Sequence, residues 1–268
     1  MSAPSVRSFP APGRRVVSSV EFDVVWEWLG LGAAPVVLRL DSPGRTHTER
    51  RQIVDAGWQG LRERGLANLT GPEPELVRLM HLLAAPTSQI ELRMQLDREL
   101  RAIAAGGPGT AALAVRRDDT VTLSALTQPV LGVVNTMPTI GTGAGHSVTL
   151  PSADLDAASN AAAGGEPIAE TLHQHGLDRA DAELVSSILG GVTGRGQLSA
   201  LSADNWGVLH RSPRVIGVLD TRYGRYLTQR DVAADGSEWT TLAPVDAVRL
   251  RYRIEELLLD AEHRAHRI

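Results

Sequence analysis

The sequence predicts an α+β protein with a central, mostly antiparallel β-sheet flanked by two helical bundles. Three observations carry that expectation. Two runs of four strand-like segments have links of only a few residues, which antiparallel pairing accommodates and parallel pairing does not. Helical segments come before and after each run instead of alternating with single strands, the order of an α+β chain. The whole order then returns past a glycine-rich link at residues 141–145. The chain therefore reads as two like halves with quasi-two-fold symmetry from an internal duplication: residues 20–140 and 141–268, one compact unit sharing a sheet.

Taken in order, residues 1–19 are rich in Pro, Ser and Arg, lack an apolar signal-peptide core and read as a disordered leader. Residues 20–31 form a short helix with Phe22, Val25, Trp26 and Leu29 on one face. Pro35 precedes a strand at 36–40, and residues 41–44 (DSPG) make a turn. Thr46 and Glu49 have capping-box spacing, so a second helix starts there, with Ile53, Val54, Trp58 and Leu61 facing inward and Gly65 at its end. Pro72 and Pro74 open a third, which Pro86 stops. Strands follow at 90–96, 98–105, 110–116 and 120–126, then a helix at 129–135.

In the second half a strand at 146–150 leads into an Ala-rich helix, which Gly164-Gly165 interrupts before Pro167 starts the next. LHQHGL (172–177) stands where LRERGL (61–66) stood, and AELVSSIL (182–189) matches PELVRLMHLL (74–83). Strands at 196–203, 214–220, 224–230 and 238–242 run into a last helix with Ala247, Leu250, Ile254, Leu257 and Ala261 on one stripe. An Ala/Leu/Arg-rich chain also yields matches by chance; the matching order of elements argues more strongly for a repeat than the identities do.

Composition removes several kinds of chemistry. The chain has no cysteine, hence no disulfide, thiolate metal site or cysteine nucleophile. All 27 basic residues are arginine, so P-loop, Schiff-base and kinase chemistries, which need lysine, drop out. A net charge of −4 without a concentrated basic stripe argues against nucleic acid as a partner. No apolar run is long enough to span a membrane.

Nothing in the sequence reads as a catalytic, cofactor or metal site. His173 and His175 lie two apart on a helix and point to different sides, while His263 and His266 share a face but lack a third ligand. No Gly-x-Ser-x-Gly elbow occurs, and the glycine-rich stretches at 106–109, 141–145 and 190–196 read as linkers. The paired carboxylates Asp118-Asp119 and Glu255-Glu256 suit exposed positions. What stands out is arginine inside strand segments: Arg93, Arg98, Arg101, Arg116, Arg225 and Arg230 alternate with apolar residues and fall on one sheet face. With Tyr223 and Tyr226 such a face suits protein docking, since Arg and Tyr are favoured at hot spots; a plain solvent face is the alternative.

Several stretches resemble the EspG family, substrate-specific chaperones of type VII (ESX) secretion in actinobacteria: VVLRLDSPGRTHTERR (36–51), ELVRLMHLLAAPTSQIELRM (75–94), AVRRDDTVTL (114–123), SPRVIGVLDTRYGRYLTQR (212–230) and EWTTLAPVDAVRL (238–250). The resemblance implies a cytosolic, non-enzymatic chaperone that binds the PPE member of a PE–PPE helical pair, or a WXG-like helical substrate, and keeps it soluble before export. It implies partner contact through the sheet, a loop between early strands (within 96–109 here) and the C-terminal helical bundle. The residues put forward as partner contacts are Arg98, Glu99, Arg101, Arg116, Arg222, Arg225, Tyr226 and Gln229. A homodimer is compatible with the sequence, and a small-molecule-binding protein or enzyme with a site between the halves is the alternative.

Overall fold

The structure, a computed structural model, describes residues 13–107 and 109–267. Its first element is a strand, β1 (Arg14–Ser18). Ser18 then closes a capping box with Glu21: its hydroxyl accepts from Glu21 N at 3.1 Å, and the Glu21 carboxylate accepts from Ser18 N at 2.7 Å. That box starts α1 (Ser19–Trp28). Thr46 and Glu49 start α2 (His47–Glu63) in the same way, and Pro74 occupies the first turn of α3 (Pro74–Ala84). β2 (Ser88–Gln95), β3 (Glu99–Gly107), β4 (Thr110–Arg117) and β5 (Thr120–Leu126) follow as hairpins, then α4 (Pro129–Val134).

After α4 come β6 (Val148–Pro151), α5 (Ser152–Ala163), α6 (Ile168–Gln174) and α7 (Arg179–Gly190). Strands β7 (Val192–Ala203), β8 (Leu209–Arg211), β9 (Ile216–Thr221), β10 (Gly224–Val232) and β11 (Glu238–Pro244) precede α8 (Ala247–Ala265).

All eleven strands among the described residues join one sheet, in the order β1-β5-β4-β3-β2-β7-β9-β10-β11-β6, with β8 beside the end of β7. The ladders at both ends and at the central β2–β7 pair are antiparallel. Read outward from that pair, each side steps through successive strands and ends on the strand that comes first in sequence on that side, β1 on one side and β6 on the other. The strand order is thus symmetric about the central pair.

Register shows which face each helix covers. Val121, Arg116, Arg101, Arg93, Gln197, Gly217, Thr228 and Leu242 lie opposite one another across eight strands and share a face. At one end of this row Val121 belongs to a core with Phe22, Leu61, Leu76 and Met80, where α1–α3 pack. At the other end Leu242 belongs to a core with Ala158, Leu172, Val185 and Ile188, where α5–α7 pack. Both bundles therefore sit on one face of the sheet. The opposite face carries Ile90, Leu92, Leu198 and Ala200 against Val133 of α4 and Leu250, Ile254 and Leu257 of α8.

Four local expectations need correction. Within the expected leader, residues 14–18 form β1 and pair with β5, while Ser19 begins α1; the remainder, residues 1–12, lies outside the described residues. Residues 36–40 are not a strand. Val36–Leu38 is a 3-10 turn that ends at Arg39 in the left-handed region (φ 47°), with Val37 and Leu38 buried. Its carbonyls are taken by arginines from the sheet instead of by a neighbouring strand, which removes the need for a ladder.

The stretch at 190–196 is not a linker either, since it ends α7 at Gly190 and opens β7 at Val192. Gly194 is required there by packing: a Cβ at this position would stand 2.6 Å from Leu96 Cδ2. The link at 141–145 is held to β10. Arg225 N donates to Gly141 O at 2.8 Å, Gly143 N donates to Arg225 O at 3.0 Å, and a Cβ at Gly143 would meet the Tyr226 ring at 2.3 Å. The short strand β8 had no counterpart in the sequence reading.

Candidate partner interface

Between the two bundles one end of the central β2–β7 pair stays open, while Glu91 and Ser199 toward its other end are buried. On the bundle face β2 presents Glu91, Arg93 and Gln95, and β7 presents Arg195, Gln197 and Ser199; Arg93 lies opposite Gln197, and Gln95 opposite Arg195. Arg93, Gln95, Arg195 and Gln197 are solvent-exposed. Neither bundle closes over the central pair, so the strands there form a polar floor with helical walls.

Toward the N-terminal wall this floor is ordered by arginine. Arg101 Nη1 donates to Val37 O at 2.9 Å, and its Nη2 to Glu99 Oε1 at 2.6 Å. Arg116 donates to Leu38 O at 2.8 Å and also to the carbonyls of Arg39 and Asp118. Together they hold the 3-10 turn onto the sheet. Arg101 beside it holds the Glu99 carboxyl below the usual glutamate range, the hydrogen bond being the largest cause, with Arg39 and Arg116 adding attraction.

The sign of the resulting pH dependence follows from that lowering. The pair's contribution is complete above the ordinary, unfolded-state glutamate value and is lost as pH falls through the lowered one. Urea midpoints measured from pH 6 down to pH 3 are expected to fall less for Glu99→Gln than for the wild type; parallel curves would rule the linkage out.

The other proposed contacts go to different places. Arg98, in the three-residue turn between β2 and β3, pairs with Asp118 at 2.7 Å and is exposed. Of the range expected to hold an early-strand loop, residues 96–98 form the β2–β3 turn, since β3 starts at Glu99 and takes up residues 99–107. Arg222 lies in the β9–β10 turn at 5.0 Å from the Tyr223 ring centroid. Arg225 and Tyr226 are buried, and their polar atoms are engaged inside the protein. Arg225 forms an ion pair with Asp220, and the Tyr226 hydroxyl donates to Ala144 O at 2.8 Å, with burial raising its pKa. Gln229 is on the α8 side of the sheet, donating to Asp231.

The structure therefore brings Glu99, Arg101 and Arg116 together with Arg93 at the floor, and does not bring the rest to it. Arg195 and Gln197 were missed, although Thr193, Arg195 and Gln197 alternate with Gly194, Gly196 and Leu198 as strand residues do.

A groove of about 540 Å³ lies between α8 and the outer strands on the other face, lined by Leu227, Gln229, Thr241, Arg249 and Tyr252 among others. Its acidic residues already have partners: Glu256 pairs with Arg253 at 2.8 Å, and Asp231 accepts from Gln229. Among the described residues no group of three or more His, Asp or Glu could hold a metal ion. His175 instead meets Asp154 at 2.8 Å, and His173 meets Leu177 O at 3.0 Å. No helix among them is long and apolar enough to cross a membrane.

Comparison with known proteins gives this arrangement its relatives. The chain is 28% identical over 243 residues to the ESX-3 secretion-associated protein EspG3 of Mycolicibacterium smegmatis, covering 85% of this chain and 80% of that protein. Its fold resembles that of the Mycobacterium tuberculosis type VII secretion system chaperone EspG5, solved in complex with a PE25–PPE41 dimer. The TM-score is 0.72 at 17% identity, over 92% of this chain and 96% of the other. A model of the EspG family matches residues 18–256, nearly all of the described sequence. The chain belongs to the EspG family.

Proposed function

We propose that this protein is a cytosolic, non-enzymatic holding chaperone for a helical client of a type VII (ESX) secretion system. The observation that carries the reading is the family match over residues 18–256, joined to the fold likeness to EspG5, a chaperone solved with a PE25–PPE41 dimer. By that likeness the client here is a PPE-type helical protein with its PE partner, or a WXG-like helical pair.

The open floor between two helical bundles suits the task. A client's exposed apolar helical tip self-associates unless it is covered. Helical walls bury its sides while the sheet supplies directional polar contacts. Binding without covalent chemistry over roughly 800 Å² per partner is reversible, as release before export requires. In this reading residues 20–140 and 141–268 are duplicated halves, each supplying one wall. Glu99, Arg101 and Arg116 shape the client's seat, Arg98 and Arg222 meet the client only from turns outside the floor, Arg225 and Tyr226 brace the fold beneath it, and Gln229 stays on the far face.

Co-expression with each PE–PPE or WXG-type pair of the source genome, followed by size-exclusion chromatography, tests the proposal. One pair is expected to co-elute with the chaperone as a stoichiometric complex and to aggregate without it. Separate elution of every pair would overturn the reading.

A further inference from the structure

The central floor carries a charge that folding does not explain. Arg93, Arg101 and Arg116 stand directly opposite one another on β2, β3 and β4. Like charges in facing positions weaken a sheet. Arg101 and Arg116 offset this by holding the 3-10 turn. Arg93 has no such role: among the described residues its side chain has no ion pair or hydrogen bond, and neither does that of Arg195.

The nearby carboxylates are already engaged. Glu91 is paired with Arg211 at 2.8 Å and accepts from Ser199 and Gln89, while Glu99 is paired with Arg101. The floor is therefore basic on a chain whose net charge is −4. Arg93 and Arg195 are diagonal neighbours across the β2–β7 ladder, since each faces the glutamine beside the other. Such positions lie roughly 7–8 Å apart, and somewhat less at Cβ, so two long guanidinium side chains can close on one carboxylate between them. Gln95 and Gln197 complete the set with amide donors on the same face.

We infer that this floor recognises a carboxylate-bearing segment of the helical client, with Arg93 and Arg195 as the pair that reads it. The inference rests on the chaperone reading above and adds to it the chemistry that selects the client: an acidic residue beside the apolar tip. Opposite charge speeds docking and rejects clients with a basic tip.

The test uses the full chain with the PE–PPE or WXG-type pair that co-elutes with it, and compares wild type, R93Q/R195Q and R93E/R195E by calorimetry. Both residues are exposed, so the variants are expected to fold. R93Q/R195Q should keep or raise the thermal midpoint, because it removes repulsion and no internal contact. The neutral variant is expected to bind roughly tenfold more weakly and the reversed one about a hundredfold. Raising NaCl from 50 to 500 mM should weaken the wild type more than R93Q/R195Q.

Equal affinities in all three proteins would overturn this inference and leave the chaperone reading standing. Failure of the wild type to bind any pair would overturn both. Tighter retention of a 20-base-pair DNA duplex than of any helical pair at 150 mM salt, lost in R93E/R195E, would assign the floor to nucleic acid instead and overturn the proposal.

Discussion

Asp220→Ala is expected to lower the folding stability by about 3–5 kcal/mol. Asp220 is fully buried at 0% exposure, and Arg225 is 4% exposed. The guanidinium meets the carboxylate with two bonds, Nε to Oδ1 at 2.6 Å and Nη2 to Oδ2 at 2.9 Å, and Nη2 also donates to Pro138 O at 2.9 Å. The pair sits where β9 turns into β10 and where residues 138–143 run alongside. Removing the carboxylate leaves Arg225 charged, since arginine does not deprotonate in proteins, and desolvated with one carbonyl as its partner. Much of the penalty is that stranded charge and not the net worth of the pair. A double replacement, Asp220→Leu with Arg225→Met, is therefore expected to lose much less, because both charges leave together. Urea unfolding at pH 7 reads both variants. A loss below about 1 kcal/mol for Asp220→Ala would mean that water reaches the site.

Much of this fold was legible because its signals are local. Short links between β2 and β5 dictate hairpins, Thr46 and Glu49 cap α2, and the stripe from Leu250 to Ala261 predicts α8. The recurring order of elements anticipated a sheet that reads alike outward from its centre. What failed depends on partners distant in sequence. The segment at 36–38 has strand-like residues, yet its carbonyls are claimed by Arg101 and Arg116, more than sixty positions away. Gly194 of β7 looked like part of a linker because the side chain that crowds it, Leu96, comes from a turn almost a hundred positions away in sequence.

The site was half legible for the same reason. Alternation correctly put Arg93, Arg101 and Arg116 on one face. It could not tell that Arg225 lies on the other face, buried against Asp220, or that Tyr226 fills the space under Gly143. Residue type and period define a face; the layer that covers it is set by the whole chain. Arginine in a strand is thus an ambiguous signal. Here it serves to fasten a turn at Arg101 and Arg116, to fill a buried pair at Arg225, and to stand exposed at Arg93.

The second large effect concerns the layer behind the floor. Ile254→Ala is expected to lose about 2–5 kcal/mol, the range for removing a fully buried aliphatic side chain and leaving a cavity. Ile254 is completely buried with Leu250 and Leu257 of α8, in the core that also holds Ile90 and Leu92 of β2 and Leu198 and Ala200 of β7. These last four residues alternate along their strands with Glu91, Arg93, Gln197 and Ser199 on the bundle side. A void under them lets the central strands shift, so the loss is not confined to global stability. Amide exchange in β2 and β7 is expected to speed up more than in α1–α3, whose core contains no residue of α8. Client affinity should fall although no substituted atom touches the client, because the seat for Arg93 and Arg195 is no longer held in one geometry. Ile254→Val removes a single methylene and should cost only about 0.5–1.5 kcal/mol, with affinity retained. Equal exchange rates across the sheet and the N-terminal bundle in Ile254→Ala would show that α8 stabilises the molecule without bracing the floor.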